Sequence, residues 1–298
     1  MRLANQVSIT KGMGCFLISV TRILTRFRSV AVLAPLCVGI AAYAADPVPQ
    51  PNLSRGFQQM YNLDFAGAHA TFGAYQQAHP EDPMGPVSNA AAYLFSEFDR
   101  LHILEADLFT DDHKFDNRNK RTPDPALKTE FEKALAKSTD LANKMLAQNP
   151  QDKNAMFSQV MANGLRGDYA AMIEKRNLAS LTYMKTARGM AEKLLAIDPT
   201  CYDAYLAIGV ENYLLGSSSA PVRWVLRMTG AQTDKAEGVE RLRLTADKGH
   251  YLAPFARLLL AVAALRDKDR QTARTLLAAL ALEFPRNQLY AQELARIQ

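Results

Sequence analysis

Three observations predict an all-α chain of antiparallel helix pairs. From about residue 52 onwards Ala, Leu, Glu, Lys, Gln and Arg dominate, while the Val, Ile and Thr alternation of a half-buried strand is scarce. Four helix-like runs end in a proline, at Pro80, Pro150, Pro199 and Pro285, a residue that supplies no N–H and disfavours helix in the residue before it. Three of the four then run on, in phase, into residues expected of a fresh helix pair on a period of ~34 residues.

The chain has 298 residues, and its first 44 read as an export leader. Arg2, Lys11, Arg22, Arg26 and Arg28 precede an apolar run from Val30 to Tyr43, and Ala42-Tyr43-Ala44 supplies the small-x-small cleavage pattern. That run is 14 residues long, short of the ~20 that cross a bilayer, so no stable membrane span is expected after cleavage. The leader also carries the whole basic excess. Without its five basic residues the 35 Lys plus Arg fall to 30, against 30 Asp plus Glu, and the basic footprint of a nucleic-acid binder is lost. Cys15 and Cys37 leave with the leader, so the remaining Cys201 forms no internal disulfide and packing must supply the stability. Residues 45–51 follow as a proline-rich tether, and 52–298 as one helical domain.

In the first unit, Asn62-Leu63-Asp64 breaks the helical pattern, and Phe65, Ala68, Phe72 and Tyr75 then form one apolar helix face that ends at His79-Pro80. After Pro150, the same phase places a turn at Gly167-Asp168-Tyr169. The pattern departs at Met172 and Arg176, and the stretch through Met184, Ala187, Ala191 and Leu194 to Pro199 is either one abnormally long helix or a helix with an extra turn or two. After Pro199 come Tyr205, Ile208 and Gly209. The last unit has Leu260 and Ala261, a turn at Lys268-Asp269, then Ala273, Leu277 and Leu280 up to Phe284-Pro285. Leu289, Tyr290 and Leu294 follow as a capping helix.

This arrangement resembles the tetratricopeptide repeat family, on whose positions Gly56, Asp64, Phe65, Ala68, Phe72 and Pro80 fall. The resemblance implies a right-handed superhelix of helix pairs and a non-catalytic role in binding a protein or peptide. With 70, 49 and 86 residues between successive terminator prolines, the array is divergent. Together with the leader, the resemblance implies a scaffold or adaptor of the bacterial cell envelope, periplasmic or secreted. The alternative is a carrier for a small molecule or lipid, with helices of 88–109 and 201–229 closing over a pocket. A closed apolar cavity favours the carrier; an open polar groove favours the scaffold.

The candidate groove is a polar and aromatic stripe on the inner helices: Tyr93, Glu97 and Arg100; Asn163 and Arg166; Glu211, Asn212 and Tyr213. No cofactor or metal is expected. Asp111, Asp112, His113, Asp116 and Asn117 lack the glycine and distal glutamate of a calcium loop and read as solvated surface. Gly216 to Ser219 read as helix capping rather than an anion site. Nucleophile elbow, H-E-x-x-H and dinucleotide fingerprints are all missing. An all-helical enzyme would need Glu97, Glu105 or Glu211 to converge in a cleft.

Overall fold

The computed structural model describes residues 52–104, 122–218 and 233–297. The leader, the tether, the Asp111 to Asn117 cluster and much of the Gly216 to Pro221 turn lie outside them. All described residues fall within one compact unit beginning at Pro49. Among them are eleven α-helices and no strand. These are α1 Leu53–Tyr61, α2 Phe65–Ala78, α3 Met84–Arg100, α4 Pro125–Gln148, α5 Lys153–Asp168 and α6 Asn177–Ile197. After them come α7 Tyr205–Gly216, α8 Lys235–Lys248, α9 Ala253–Arg266, α10 Arg270–Glu283 and α11 Gln288–Arg296. None of the described helices is long and apolar enough to cross a membrane.

Two turn types recur, each written in local sequence. The first is the proline stop. His79, Asn149, Asp198 and Phe284 leave the helical region for ψ of 69, 96, 88 and 67°, because the proline that follows each one crowds the α conformation. Each still donates its N–H to the carbonyl four residues back at 2.8 Å. Each also accepts from the N–H three residues on: Asp82, Asn149's partner Asp152, Cys201 and Asn287, at 3.0–3.2 Å. The second is a left-handed closure. Leu63 and Lys268 have φ of 61 and 63°, and the N–H of the next residue reaches back to the carbonyl five before it, Asp64 to Gln59 at 2.9 Å and Asp269 to Ala264 at 2.8 Å. Asp64 and Asp269 then cap the following helix, accepting from Gly67 and Thr272 at 3.0 Å. The first and last helix pairs are thus joined by the same device.

Every helix packs on the next in sequence, and α1–α3 and α3–α5 also touch. Small residues set the closest approaches. A Cβ on Gly56 would lie 2.2 Å from the Phe72 ring, and one on Gly238 would lie 2.4 Å from the Tyr213 nitrogen, so α1–α2 and α7–α8 meet at distances only glycine permits.

The expected turn at Gly167-Asp168-Tyr169 is not one. Helix α5 runs through Asp168 into a single π turn, Tyr169–Ile173, and the chain reverses at Lys175, with φ 55°. Burial explains the shift, since Tyr169, Ala170 and Ile173 continue the apolar face and ending the helix at Gly167 would expose them. Helix α6 is one long helix of 21 residues.

The first helix also meets the turns before α9 and α11, and α3 meets α9. The Phe57 ring stacks on Tyr251 at 4.9 Å, Tyr61 lies 5.5 Å from Phe284, and Phe95 meets Phe255 at 5.4 Å. The Tyr61 hydroxyl donates to the Tyr251 carbonyl at 3.1 Å, and the Asn287 amide donates to the Tyr61 carbonyl at 3.0 Å.

Candidate functional site

Residues of the odd-numbered helices α1 to α9 line a half-open cavity of about 70 Å³, to which the described residues of the even-numbered helices contribute nothing. Helix α1 brings Phe57, Met60 and Tyr61, and α3 brings Ala91 and Phe95. From α5 come Val160, Met161, Gly164, Leu165 and Asp168, spaced three and four apart so that they form one helical stripe. Leu206 and Ala207 of α7 and Leu252 and Phe255 at the start of α9 complete the wall. The lining is almost wholly apolar, and what stands out in it is two carboxylates.

Asp203 is structural. It lies in the short 3₁₀ turn Tyr202–Ala204 and is buried. One oxygen accepts from the His250 N–H at 2.9 Å and the other from Leu252 at 2.9 Å, while the Tyr251 N–H reaches both. Its carboxylate is used up in holding the α8–α9 turn against α7.

Asp168 is different. It makes no hydrogen bond or ion pair among the described residues; it is half-buried, and the loss of solvent around it pushes its carboxyl up to about 7. It ends the α5 stripe immediately before the π turn, a local geometry that recurs at functional sites. Gly164, one turn earlier, has nothing within 4 Å of where a Cβ would stand, so it leaves space in front of the carboxyl. A free carboxyl group among aliphatic and aromatic walls can accept hydrogen bonds or balance a cation.

The eight residues of the polar stripe sit on α3, α5 and α7, but none lines this cavity. They occupy separate helix junctions. Tyr93 packs its ring 4.1 Å from His69 of α2. Glu97 is buried, pairs with Arg100 at 2.7 and 2.8 Å and accepts from the Asp124 N–H at the start of α4. Asn163 donates to the Gln159 carbonyl, and Arg166 donates to the Thr139 hydroxyl of α4 at 3.0 Å. Glu211 is fully buried, with Arg188 of α6 3.0 Å away. Asn212 accepts from the Asp234 N–H before α8, and Tyr213 lies buried against Gly238. Glu97 and Glu211 therefore face different partners, and Glu105 lies outside the described residues. Among the described residues, no group of three His, Cys, Asp or Glu is placed to hold a metal ion. Burial and the neighbouring Asp203 push the Cys201 thiol up to about 11, which leaves it protonated and unreactive at neutral pH.

Asp168 is the residue that sequence reasoning passed over, because it was assigned to a turn. The signal was present: Val160, Met161, Gly164, Leu165 and Asp168 follow helical spacing, which puts an acid on an apolar face. Compared with known protein families, with curated proteins and with solved structures, the chain matches none.

Proposed function

We propose that this chain is an exported, non-catalytic binding protein of the tetratricopeptide-like helical class, and that it takes a small ligand or ligand group in the cavity between its odd-numbered helices. One observation carries the reading. Among the described residues, five alternate helices turn apolar side chains and one uncommitted carboxyl toward one shared space, while Glu97, Arg166 and Glu211 on the same helices pair elsewhere. Apolar walls with a few placed polar groups are the usual character of a small-molecule seat.

The size limits the ligand. The cavity, about 70 Å³, is roughly half the ~150 Å³ that accommodates a benzene ring. It suits a short alkyl group and excludes a folded domain or a whole lipid chain. The packing of α1 and α3 against the last three helices and the turns between them favours the carrier over the open-groove scaffold. The scaffold reading survives where a partner inserts one side chain. Export rests on the leader, and the product isolated from outside the cytoplasm should begin at Ala45.

The test is to purify the exported protein from its own organism under native conditions and compare it by mass spectrometry with a Gly164→Leu variant, whose added side chain fills the cavity. A bound small molecule present on the natural chain and missing from the variant supports the carrier. Retention of the same molecule by Gly164→Leu would remove the cavity as its seat. Recovery instead of a protein crosslinked through the odd-numbered helices would restore the scaffold.

A further inference from the structure

We propose that Asp168 makes this cavity a seat for an organic ammonium group, its charge on the Asp168 carboxylate and its methylene stem along the apolar wall. The proposal deepens the reading of the cavity as a ligand seat and depends on it.

Three features point to a cation rather than to a neutral ligand. First, the half-buried carboxyl has no partner among the described residues, whereas an ionised carboxylate drawn away from water is costly until a cation or donors meet it. Second, the described residues lining the cavity offer no competing positive charge. The other ionisable groups lining the cavity are Asp203 on the 3₁₀ turn, saturated by backbone N–H groups, and Tyr61 on α1, whose hydroxyl donates to the Tyr251 carbonyl; α3 and α9 bring only apolar side chains. Third, Phe57, Tyr61, Phe95 and Phe255 line the same space, and aromatic ring faces attract cations more strongly once water is excluded. Among the described lining residues, a bound anion would meet two carboxylates and no cation. A neutral alkyl group would leave Asp168 unsatisfied.

Protonation follows from the same placement. Because the empty carboxyl titrates near 7, a cation must compete with a proton for it. Binding is full above neutrality and weakens as pH falls, by about tenfold for each unit below 7. An alcohol of the same length shows no such dependence.

The experiment uses the full-length protein and calorimetric titration with n-butylamine and n-butanol, at pH 8 and pH 6, on the natural chain, Asp168→Asn and Gly164→Leu. Butylamine should bind at least tenfold more tightly than butanol at pH 8, lose about tenfold at pH 6, and fall to the level of butanol in Asp168→Asn. Gly164→Leu should abolish both. Equal binding of amine and alcohol, lost in Gly164→Leu, would leave the cavity as a ligand seat and overturn the ammonium proposal. No binding of either would overturn both. Unfolding curves for the two variants establish that each remains folded. A Gly-Lys-Gly peptide, titrated in the same way, separates the two sources of such a group. Binding as tight as that of butylamine identifies a lysine side chain of a partner, and binding of butylamine alone identifies a free amine; either result supports the charge recognition.

Discussion

The side-chain amide of Asn287 donates to the main-chain carbonyl of Tyr61 at 3.0 Å, joining residues 226 positions apart through a buried hydrogen bond. The same Asn287 caps α11 by accepting from the Leu289 N–H at 3.1 Å, so one side chain both starts the last helix and ties it to the end of the first. Asn287→Ala leaves a buried carbonyl without its donor and removes a cap. It should cost about 2–4 kcal/mol, read by urea unfolding. Hydrogen exchange should quicken in both α1 and α11; quickening in α11 alone would mean that the contact between the ends contributes nothing.

Asp203 offers a second test of how the turn before α9 is fixed. Asp203→Ala strips the acceptors from three backbone N–H groups and should destabilise the chain by about 2–4 kcal/mol, since hydrogen bonds to charged groups contribute about 1.5–3 kcal/mol each and are not additive. Asp203→Asn keeps one acceptor oxygen and should fall between the two. Equal stability of all three proteins would show that the turn is held by packing alone.

Asp168 predicts a pH dependence of opposite sense to that of a salt-bridged carboxylate. Its folded value of about 7 lies above the ordinary value of 3.8, so between the two the folded chain holds a proton that the unfolded chain has released. The associated stability is fully present below about 4 and is lost as pH rises through 7. Asp168→Asn removes the penalty and should raise the Tm of the ligand-free protein by roughly 10 °C at pH 8, with little change at pH 4. A variant that melts lower at pH 8 would mean the carboxylate has a partner in solution.

Two glycines should respond in opposite directions. Gly238→Ala forces a methyl group to within 2.4 Å of the Tyr213 nitrogen, and overpacking against backbone costs about 1–3 kcal/mol, more than the ~0.5–1 kcal/mol that alanine gains in a helix. Gly189, inside α6, has nothing within 4 Å of its would-be Cβ. Gly189→Ala should stabilise by about 0.5–1 kcal/mol, and thermal unfolding of the pair checks both signs.

The sequence by itself determined the local grammar. Each terminator proline stops its helix one residue earlier because the restriction acts between neighbours, and the breaks at Leu63 and Lys268 and the aspartate caps that follow them are equally local. The apolar faces of α2 and α10 were legible in Phe65, Ala68 and Phe72 and in Ala273, Leu277 and Leu280, because helical period fixes which residues share a side. The tertiary structure alone decided where α5 ends, since its termination depends on the burial of Tyr169, Ala170 and Ile173 rather than on Gly167. It alone decided that Glu97, Arg166 and Glu211 turn to neighbouring helices. It alone brought Tyr61 to Asn287 and placed Asp168 in an apolar cavity. Those outcomes depend on which helices come to lie beside one another, and a carboxyl group carries no mark in sequence of whether its neighbours in space will be amides, cations or aromatic rings.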